Sequence, residues 1–153
     1  MGFFTNLFQK SKDEAIAAYG RFTHKQFLEA AIGASYMVGV ADGSFDQTEK
    51  DKMKQFLAAH PAFKGFTSDD IMAAFLKIDA FYALDRFWGD KEALKVLKSV
   101  QDQDEKEAIV FLTCMIGAAD GNFDDNEKAV VKTICNAMNV STNIHPAINA
   151  KAA

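Results

Sequence analysis

Apolar side chains recur at helical spacing along most of the chain, and no segment alternates convincingly between apolar and polar residues as a strand would. Residues 30–41 (AAIGASYMVGVA) and 108–119 (AIVFLTCMIGAA) are apolar nearly all round, which is typical of helices buried at the centre of a domain. We expect these two helices to pack on each other, with small residues such as Gly33, Ala34 and Gly39 allowing a close approach.

Each central helix is followed by an amphipathic helix, predicted to begin near Asp46 in one case and near Asp124 in the other. The spacing of apolar residues predicts which side of each helix faces the core. The inward-facing residues are Met53, Phe56 and Leu57 in the first helix and Val130, Val131 and Ile134 in the second.

Three further helices complete the prediction. One covers roughly residues 12–22. Another opens on Thr67-Ser68-Asp69-Asp70, a strong N-cap signature, and ends at a break marked by Gly89-Asp90. A short helix over residues 91–100 follows. The sequence therefore predicts an all-α fold of about seven helices in a single domain.

The two helix pairs repeat one pattern. Residues 29–54 and 107–132 align without a gap, and each contains the loop sequence ADGxFDxxEK, at residues 41–50 and 119–128. Chance matches would concentrate in Ala and Lys, whereas here Asp, Gly, Phe and Glu match in order. We infer an internal helix–loop–helix duplication, with repeat units at residues 25–60 and 103–138.

The helical domain is expected to span residues 12–140, between an N-terminal segment (residues 1–11) and a flexible C-terminal tail (residues 141–153) that is polar and interrupted by Pro146. The N-terminal segment lacks the basic start and the cleavage site of a signal peptide. No segment has the length of a transmembrane helix.

Composition narrows the function classes. The net charge is −4 and arginine occurs only at Arg21 and Arg86, so nucleic-acid binding, which needs a concentrated cationic surface, is not expected. Cys114 and Cys135 sit in apolar stretches, which favours two buried thiols over a disulfide or a zinc site. No catalytic motif is present, so the sequence predicts no enzyme.

Turn and cap chemistry explains much of the repeated loop. Gly43 can adopt the positive φ that ends a helix, and Phe45 can plug the loop into the core. Asp46 is placed to cap the next helix, and Glu49, three residues later, completes a capping box. The second loop repeats this pair with Asp124 and Glu127.

Capping does not explain why aspartates stand at positions 42 and 120. A carboxylate at the C-terminal end of a helix interacts unfavourably with the helix dipole, which lowers stability. A bound cation would remove this unfavourable interaction. Carboxylates are the ligands that Ca²⁺ and Mg²⁺ prefer, although the spacing is not that of an EF-hand. Capping and cation binding are compatible, and both interpretations stay open here. The candidate ligands of a divalent cation are Asp42, Asp46, Glu49, Asp120, Asp124 and Glu127.

Glu29 and Glu107 are added to the candidate metal ligands. Glu29 lies roughly 20 Å from Asp42 along one helix, so the two cannot share a site within one unit. If the central helices are antiparallel, Glu29 approaches the second loop and Glu107 the first. The alternative is a position in a first helical turn, with Asp104 and Glu107 as a capping box. Asp79, inside FLKIDAFYAL, points either inward or, as is more usual, to solvent.

The paired loops, in a helical chain of this length, resemble the TerB family of tellurite-resistance proteins. The resemblance covers residues 12 to about 140 and rests on GVADG at residues 39–43 and GAADG at residues 117–121, each followed by Phe, Asp and Glu at the same spacing. It implies a seven-helix, pseudo-twofold fold without known enzymatic activity. It also implies a cytoplasmic protein that works with other tellurite-resistance proteins, and an integral membrane partner that would hold it peripherally at the inner membrane without direct insertion.

Three functions remain open at this stage. The first is a cytoplasmic adaptor in tellurite resistance and stress response, with an acidic surface that binds a divalent cation of the Ca²⁺ or Mg²⁺ class. The second is a structural interaction domain with no ligand, in which the loops serve only as caps. The third is a tellurite-processing enzyme that uses Cys114 or Cys135, although a catalytic thiol needs exposure and a lowered pKa.

Overall fold

A computed structural model describes residues 24–41, 43, 45–118 and 123–150 of the chain. Within these ranges it contains seven α-helices, two short 3-10 turns and no strand, which confirms the predicted all-α fold. The expected helix over residues 12–22 lies outside the described residues. The α-helices are α1 (Lys25–Gly39), α2 (Gln47–Ala59), α3 (Ser68–Tyr82), α4 (Arg86–Lys98), α5 (Gln103–Ala118), α6 (Asp125–Met138) and α7 (Pro146–Asn149).

Helix α1 lies at the centre of the fold. Its side chains are buried from Phe27 to Val38, because α1 packs against α3, α4 and α5 at once. The predicted contact between the two central helices, α1 and α5, is therefore confirmed. The two glycines that were expected to allow close approach of α1 and α5 lie against other neighbours instead. Gly33 faces Ala93 of α4 and Ile78 of α3, and Gly39 faces the ring of Phe45.

The predicted inward faces of α2 and α6 are confirmed. Met53 and Leu57 of α2 are buried, and so are Val131 and Ile134 of α6. Phe56 and Val130 are half-buried and pack against the same core.

Helix α3 begins where the sequence predicts. The Thr67 hydroxyl accepts the amide of Asp70 at 3.1 Å, and the Asp70 carboxylate accepts the amide of Thr67 at 3.1 Å. These two bonds form a complete capping box, which satisfies two of the backbone donors that a helix start leaves unpaired.

The break predicted at Gly89-Asp90 is wrong. Helix α3 already ends at Tyr82, and α4 starts after Asp85, whose side chain accepts the amide of Trp88 at 2.8 Å. Gly89 lies inside α4, and a Cβ at this position would come within 2.3 Å of the Tyr82 ring. The glycine therefore permits close packing of an aromatic ring rather than ending a helix.

The segment after Val140 differs from the expected flexible tail. Thr142–Ile144 forms a 3-10 turn and Pro146–Asn149 forms α7. The side chain of Ile148 is fully buried, and the Lys128 ammonium donates to the carbonyl oxygen of Ala150 at 2.8 Å. Ile148 is a single apolar residue in a polar stretch, so it gives only a weak periodic signal. For this reason the sequence pattern did not predict that the segment after Val140 packs on the core.

None of the helices in the described ranges is both long enough and apolar enough to cross a membrane.

Candidate functional site: the paired acidic loops

The first loop leaves α1 through a left-handed glycine. Gly43 has the predicted positive φ, at +89°, and its amide donates to the carbonyl of Val40 at 2.9 Å. It does not end the helix as predicted, because α1 already ends at Gly39, with Val40 as its C-cap. The Phe45 ring covers Gly39, where a Cβ would lie 2.9 Å from the ring, and meets the ring of Tyr36 edge-on at 4.8 Å. Phe45 therefore plugs the loop into the core as the sequence predicts.

The second loop returns to the core in the same way. Phe123 covers Gly117, where an added Cβ would lie only 2.7 Å from the ring. Phe123 is half-buried and packs against the hydrophobic core. In both loops the helix-end glycine makes room for the phenylalanine six residues later.

Both loops end in an aspartate N-cap of the same geometry. Asp46 and Asp124 each have φ −81° and ψ 174°, and each side chain accepts the backbone amide three residues later at 2.8 Å. The Glu127 carboxylate also accepts the amide of Asp124 at 3.1 Å, which completes the capping box in the second loop. In the first loop only the Asp46 bond is formed, and Glu49 is exposed.

Asp42 and Asp120 lie outside the described residues. Among the candidate ligands, the structure brings Asp46 to Glu49 and Asp124 to Glu127 through the cap bonds. In the part of the chain that the structure describes, no group of three or more His, Cys, Asp or Glu side chains is arranged to hold a metal ion. These cap bonds join carboxylates to backbone amides and not to one another.

Glu29 is neutralised by lysines. Its carboxylate is buried at the side of α1, where one oxygen accepts a hydrogen bond from Lys77 of α3 at 3.0 Å and the other lies 3.8 Å from the Lys25 ammonium. Two ammonium groups already compensate this charge, so the surroundings suit a carboxylate without any metal and disfavour a divalent cation.

Glu107 is half-buried in α5 and bonds within its own helix, where Gln103 donates to it at 3.0 Å. The capping box predicted for Asp104 and Glu107 is wrong. Asp102 caps α5 instead, since its side chain accepts the amide of Glu105 at 3.0 Å.

A hydrogen bond between His24 and Glu105 joins the starts of α1 and α5. The His24 Nδ1 atom lies 2.8 Å from the Glu105 carboxylate, and this bond and the charge of Glu105 raise the pKa of His24. Because the N-terminal ends of the two helices meet, the antiparallel arrangement that would bring Glu29 to the second loop is not found.

The lysine of the first motif belongs to a cluster that sequence reasoning missed. The Asp79 carboxylate of α3 accepts the Tyr36 hydroxyl at 2.5 Å and the Lys50 ammonium at 2.9 Å. Tyr36 also stacks on Tyr82 with ring centroids 4.5 Å apart. Asp79 therefore faces protein partners, and the only sequence signal for it was a lone acid in an apolar run.

The charges of this cluster are mutually stabilised. Burial, together with the bond to Asp79, raises the pKa of Tyr36 to about 12. Burial alone would raise the pKa of Asp79, but the hydrogen bonds from Tyr36 and Lys50 outweigh it and hold the pKa below its usual value. The bond to Asp79 raises the pKa of Lys50 against the opposing effect of burial. At neutral pH, Asp79 and Lys50 are ionised and Tyr36 keeps its proton.

The lysine of the second motif has a different partner. Lys128 is buried, and its ammonium donates to the backbone carbonyl of Ala150 while lying 5.7 Å from the centre of the Phe123 ring. The second loop is therefore tied to the segment that follows α6.

The two thiols are buried as predicted, in α5 and α6. Neither forms a disulfide, and both side chains are almost completely covered. Burial raises the pKa of Cys114 to about 12 and that of Cys135 to about 11. Both groups are therefore protonated thiols at neutral pH, which is the unreactive form.

Comparison with known proteins places these features in a family. The family model described as tellurite resistance protein TerB matches residues 28–148, a range that includes both loops and ends within α7. A curated relative from Alcaligenes sp, named tellurium resistance protein TerB, is 26% identical over 94 residues, which is 61% of this chain and 77% of the relative. No solved structure matches the chain. Because the family model spans most of the sequence, this chain belongs to the TerB family of tellurite-resistance proteins.

Proposed function

We propose that this chain is a non-enzymatic adaptor in tellurite resistance and stress response, whose two acidic loops bind divalent cations of the Ca²⁺ or Mg²⁺ class. Membership of the TerB family supports the resistance role. The observation that carries the cation proposal is the pair of loops with identical cap geometry at Asp46 and Asp124. Oxygen-rich loops of this kind suit hard cations.

The first loop is the better cation site. Glu49 is exposed and makes no return bond to Asp46, so its carboxylate can turn towards a cation together with Asp42 and Asp46. Lys50 is bonded to Asp79 and therefore does not neutralise these carboxylates. In the second loop Glu127 is already bonded to Asp124, so a cation there competes with the capping box.

The proposed ligands are Asp42, Asp46 and Glu49 in the first loop and Asp120, Asp124 and Glu127 in the second. We leave Glu29 out because Lys25 and Lys77 neutralise it. We leave Glu107 out because it bonds to Gln103 in the first turn of α5, away from the loop that follows Ala118.

Titration of the purified protein with Ca²⁺, Mg²⁺ and Mn²⁺ tests the cation proposal. We expect the amide NMR signals of Gly43 and Gly121 to shift, with Gly43 responding at the lower concentration. Asp42→Asn should abolish the shift at Gly43 and leave that at Gly121. Asp51→Asn, which removes an exposed carboxylate of α2 outside the loop, is the matched control. Unmoved signals at millimolar metal would remove the cation proposal and leave the adaptor proposal standing.

The adaptor proposal includes a cytoplasmic location and partners among other tellurite-resistance proteins, one of them integral to the inner membrane. A resistance assay in cells separates it from a purely structural role of the loops. If the loops act through a cation, Asp42→Ala abolishes resistance while the protein stays folded. If they serve only as caps, Asp42→Ala leaves resistance intact, whereas Asp46→Ala costs about 1 kcal/mol of stability.

Thiol labelling tests the alternative of a tellurite-processing enzyme. Because Cys114 and Cys135 are buried and protonated at neutral pH, we expect both to react with a thiol reagent only after unfolding. Ready labelling of the native protein would support a thiol-dependent activity instead.

A further inference from the structure

The lysine that ends the first acidic motif, Lys50, stands next to carboxylates that we propose as cation ligands. Its backbone amide donates to the carbonyl of Asp46 at 2.9 Å, so Lys50 lies one helical turn after Asp46 and directly follows Glu49. Side chains four residues apart on a helix are neighbours, and an acid that precedes a lysine at this spacing pairs with it favourably. An ammonium group in that position would neutralise the first loop and repel a divalent cation.

The structure pairs this ammonium with α3 instead. The Nζ atom of Lys50 lies 2.9 Å from the Asp79 carboxylate and 5.7 Å from the centre of the Tyr36 ring. Only 24% of the Lys50 side chain is exposed, so it is largely enclosed between α2 and its neighbours. The bond to Asp79 therefore engages the positive charge of the motif outside the loop.

Asp79 is held in place by a buried tyrosine. Its carboxylate accepts the hydroxyl of Tyr36 at 2.5 Å, and Tyr36 is only 2% exposed. A hydrogen bond to an ionised carboxylate is stronger than one between neutral groups. Asp79 therefore offers Lys50 a carboxylate at a defined position, whereas the side chains of Asp46 and Glu49 are exposed to solvent.

The second half of the molecule separates its lysine from its loop by another means. The amide of Lys128 donates to the carbonyl of Asp124 at 3.0 Å, so Lys128 has the same place relative to its loop as Lys50. Its ammonium nevertheless donates to the carbonyl of Ala150 at 2.8 Å. The two halves thus reach the same result through unrelated partners, which favours a role in keeping the ammonium from the loop carboxylates.

We propose that Asp79 is a positioning residue for the first cation site, which binds Lys50 and so keeps its ammonium away from the loop carboxylates. The inference rests on the proposed cation binding by the loops, and it adds a residue of α3 that does not itself touch the cation. Without Asp79, Lys50 pairs with Asp46 or Glu49, and a cation has to displace it.

Titration with Ca²⁺, followed through the amide NMR signals of Gly43 and Gly121, tests this role of Asp79. In Asp79→Ala the response of Gly43 should require roughly tenfold more Ca²⁺, which is the effect of one ammonium about 6 Å from a divalent cation in water. The response of Gly121 should stay the same, because Lys128 keeps its own partner. Equal responses of Gly43 in Asp79→Ala and in the unchanged protein would overturn the proposal.

Removal of the lysine distinguishes positioning from a merely structural role of Asp79. Lys50→Met leaves no ammonium to be released. The double variant Asp79→Ala with Lys50→Met should therefore respond at the same Ca²⁺ concentration as Lys50→Met alone. If the double variant still needed more Ca²⁺, Asp79 would act on the shape of the loop and not through Lys50, which would contradict the proposal.

Asp90→Ala is the matched control. Asp90 of α4 also accepts a tyrosine hydroxyl at 2.5 Å, that of Tyr82, and it also has a cation nearby, with Arg86 at 3.8 Å. Its removal changes the net charge as Asp79→Ala does but releases no lysine of the motif, so the response of Gly43 should stay unchanged. A loss equal to that in Asp79→Ala would attribute the effect to net charge and exclude the role of Lys50.

Circular dichroism checks that these variants are folded. If Asp79→Ala fails to fold, Asp79→Asn replaces it, since the amide keeps the size of the side chain and removes the charge that binds Lys50. Failure of this proposal can be told apart from failure of cation binding itself. A Gly43 signal that millimolar Ca²⁺ does not move in the unchanged protein removes both, whereas equal movement in the unchanged protein and the Asp79 variant removes only the role of Asp79.

Discussion

The two acidic loops have the same sequence pattern and the same cap geometry, yet their lysines hold different parts of the molecule. Lys50 bonds to a carboxylate on α3, Asp79, whereas Lys128 bonds to a backbone carbonyl beyond α7, that of Ala150. The backbone structure of each loop depends on residues within a few positions of one another along the chain. The partner of its lysine depends instead on which distant segment the fold places next to the loop.

This difference extends to the glutamates of the two motifs. Glu127 is buried and completes its capping box, whereas Glu49 is exposed and does not. A repeated motif can therefore keep its local structure while one copy becomes more rigid and the other keeps a carboxylate available. We expect the two halves to respond differently to four kinds of change, the largest effect coming from the helix-end glycines.

Substitution of the helix-end glycines should destabilise both halves, and the second more. Gly117→Ala forces a methyl group against Phe123, and we expect it to lower the free energy of unfolding by about 1–3 kcal/mol. Gly39→Ala should cost less, since its Cβ has slightly more room. Urea unfolding measures both. Gly33→Ala is the control, because its Cβ would lie at an ordinary 3.6 Å from its neighbours. Equal stability of Gly33→Ala and Gly117→Ala would contradict the close packing.

Removal of the N-caps should also affect the second half more. Asp46→Ala should cost about 1 kcal/mol, and Asp124→Ala up to about 2 kcal/mol, because the amide that loses its acceptor belongs to an exposed residue, Glu49, in the first case and to the buried Glu127 in the second. Chemical denaturation of both variants gives the comparison. If Asp46→Ala proved the more costly, burial of the amide that loses its acceptor would not determine the cost of removing the cap.

Replacement of the motif lysines should loosen different segments. Lys128→Met should increase amide hydrogen exchange at Ile148, because the segment after α6 loses its bond to the second loop. Lys50→Met should leave Ile148 unchanged and increase exchange near Asp79 instead. Each loss corresponds to about 1 kcal/mol of local stability. Faster exchange of Ile148 in both variants would mean that the two halves open together.

Acid should weaken the lysine contact of the first half only, and this effect is the smallest. The pKa of folded Asp79 lies below its unfolded value, so its contribution to stability is present at neutral pH and is lost as the pH falls through the folded pKa. The stability difference between the unchanged protein and Asp79→Asn should therefore shrink in acid. The difference caused by Lys128→Met should persist, because the Ala150 carbonyl does not titrate. Urea unfolding at about pH 7 and about pH 3 compares the two.

Local features of this fold could be predicted from the sequence. The N-caps at Thr67, Asp46 and Asp124, the left-handed Gly43 and the buried central helices follow from spacing over a few residues. Such features depend on backbone groups and side chains that lie next to each other along the chain, so their sequence signals are strong.

Contacts between distant segments could not be predicted in the same way. The Tyr36–Asp79 bond joins residues 43 positions apart, and the His24–Glu105 bond joins residues 81 positions apart. Gly89 was misinterpreted for the same reason, since the ring that requires a glycine there belongs to another helix. Polar pairs and close packing of this kind depend on the relative placement of helices, which periodicity does not encode.

The bond from Lys128 to Ala150 has a consequence for sequence variation. Its acceptor is a backbone oxygen, which every amino acid supplies, so replacement of Ala150 by another residue should leave the bond intact. Shortening the segment before it would not, because Ile148 fixes the segment in the core and so sets where that oxygen lies. We therefore expect the protein to tolerate other residues at position 150 more readily than a change in the length of the segment.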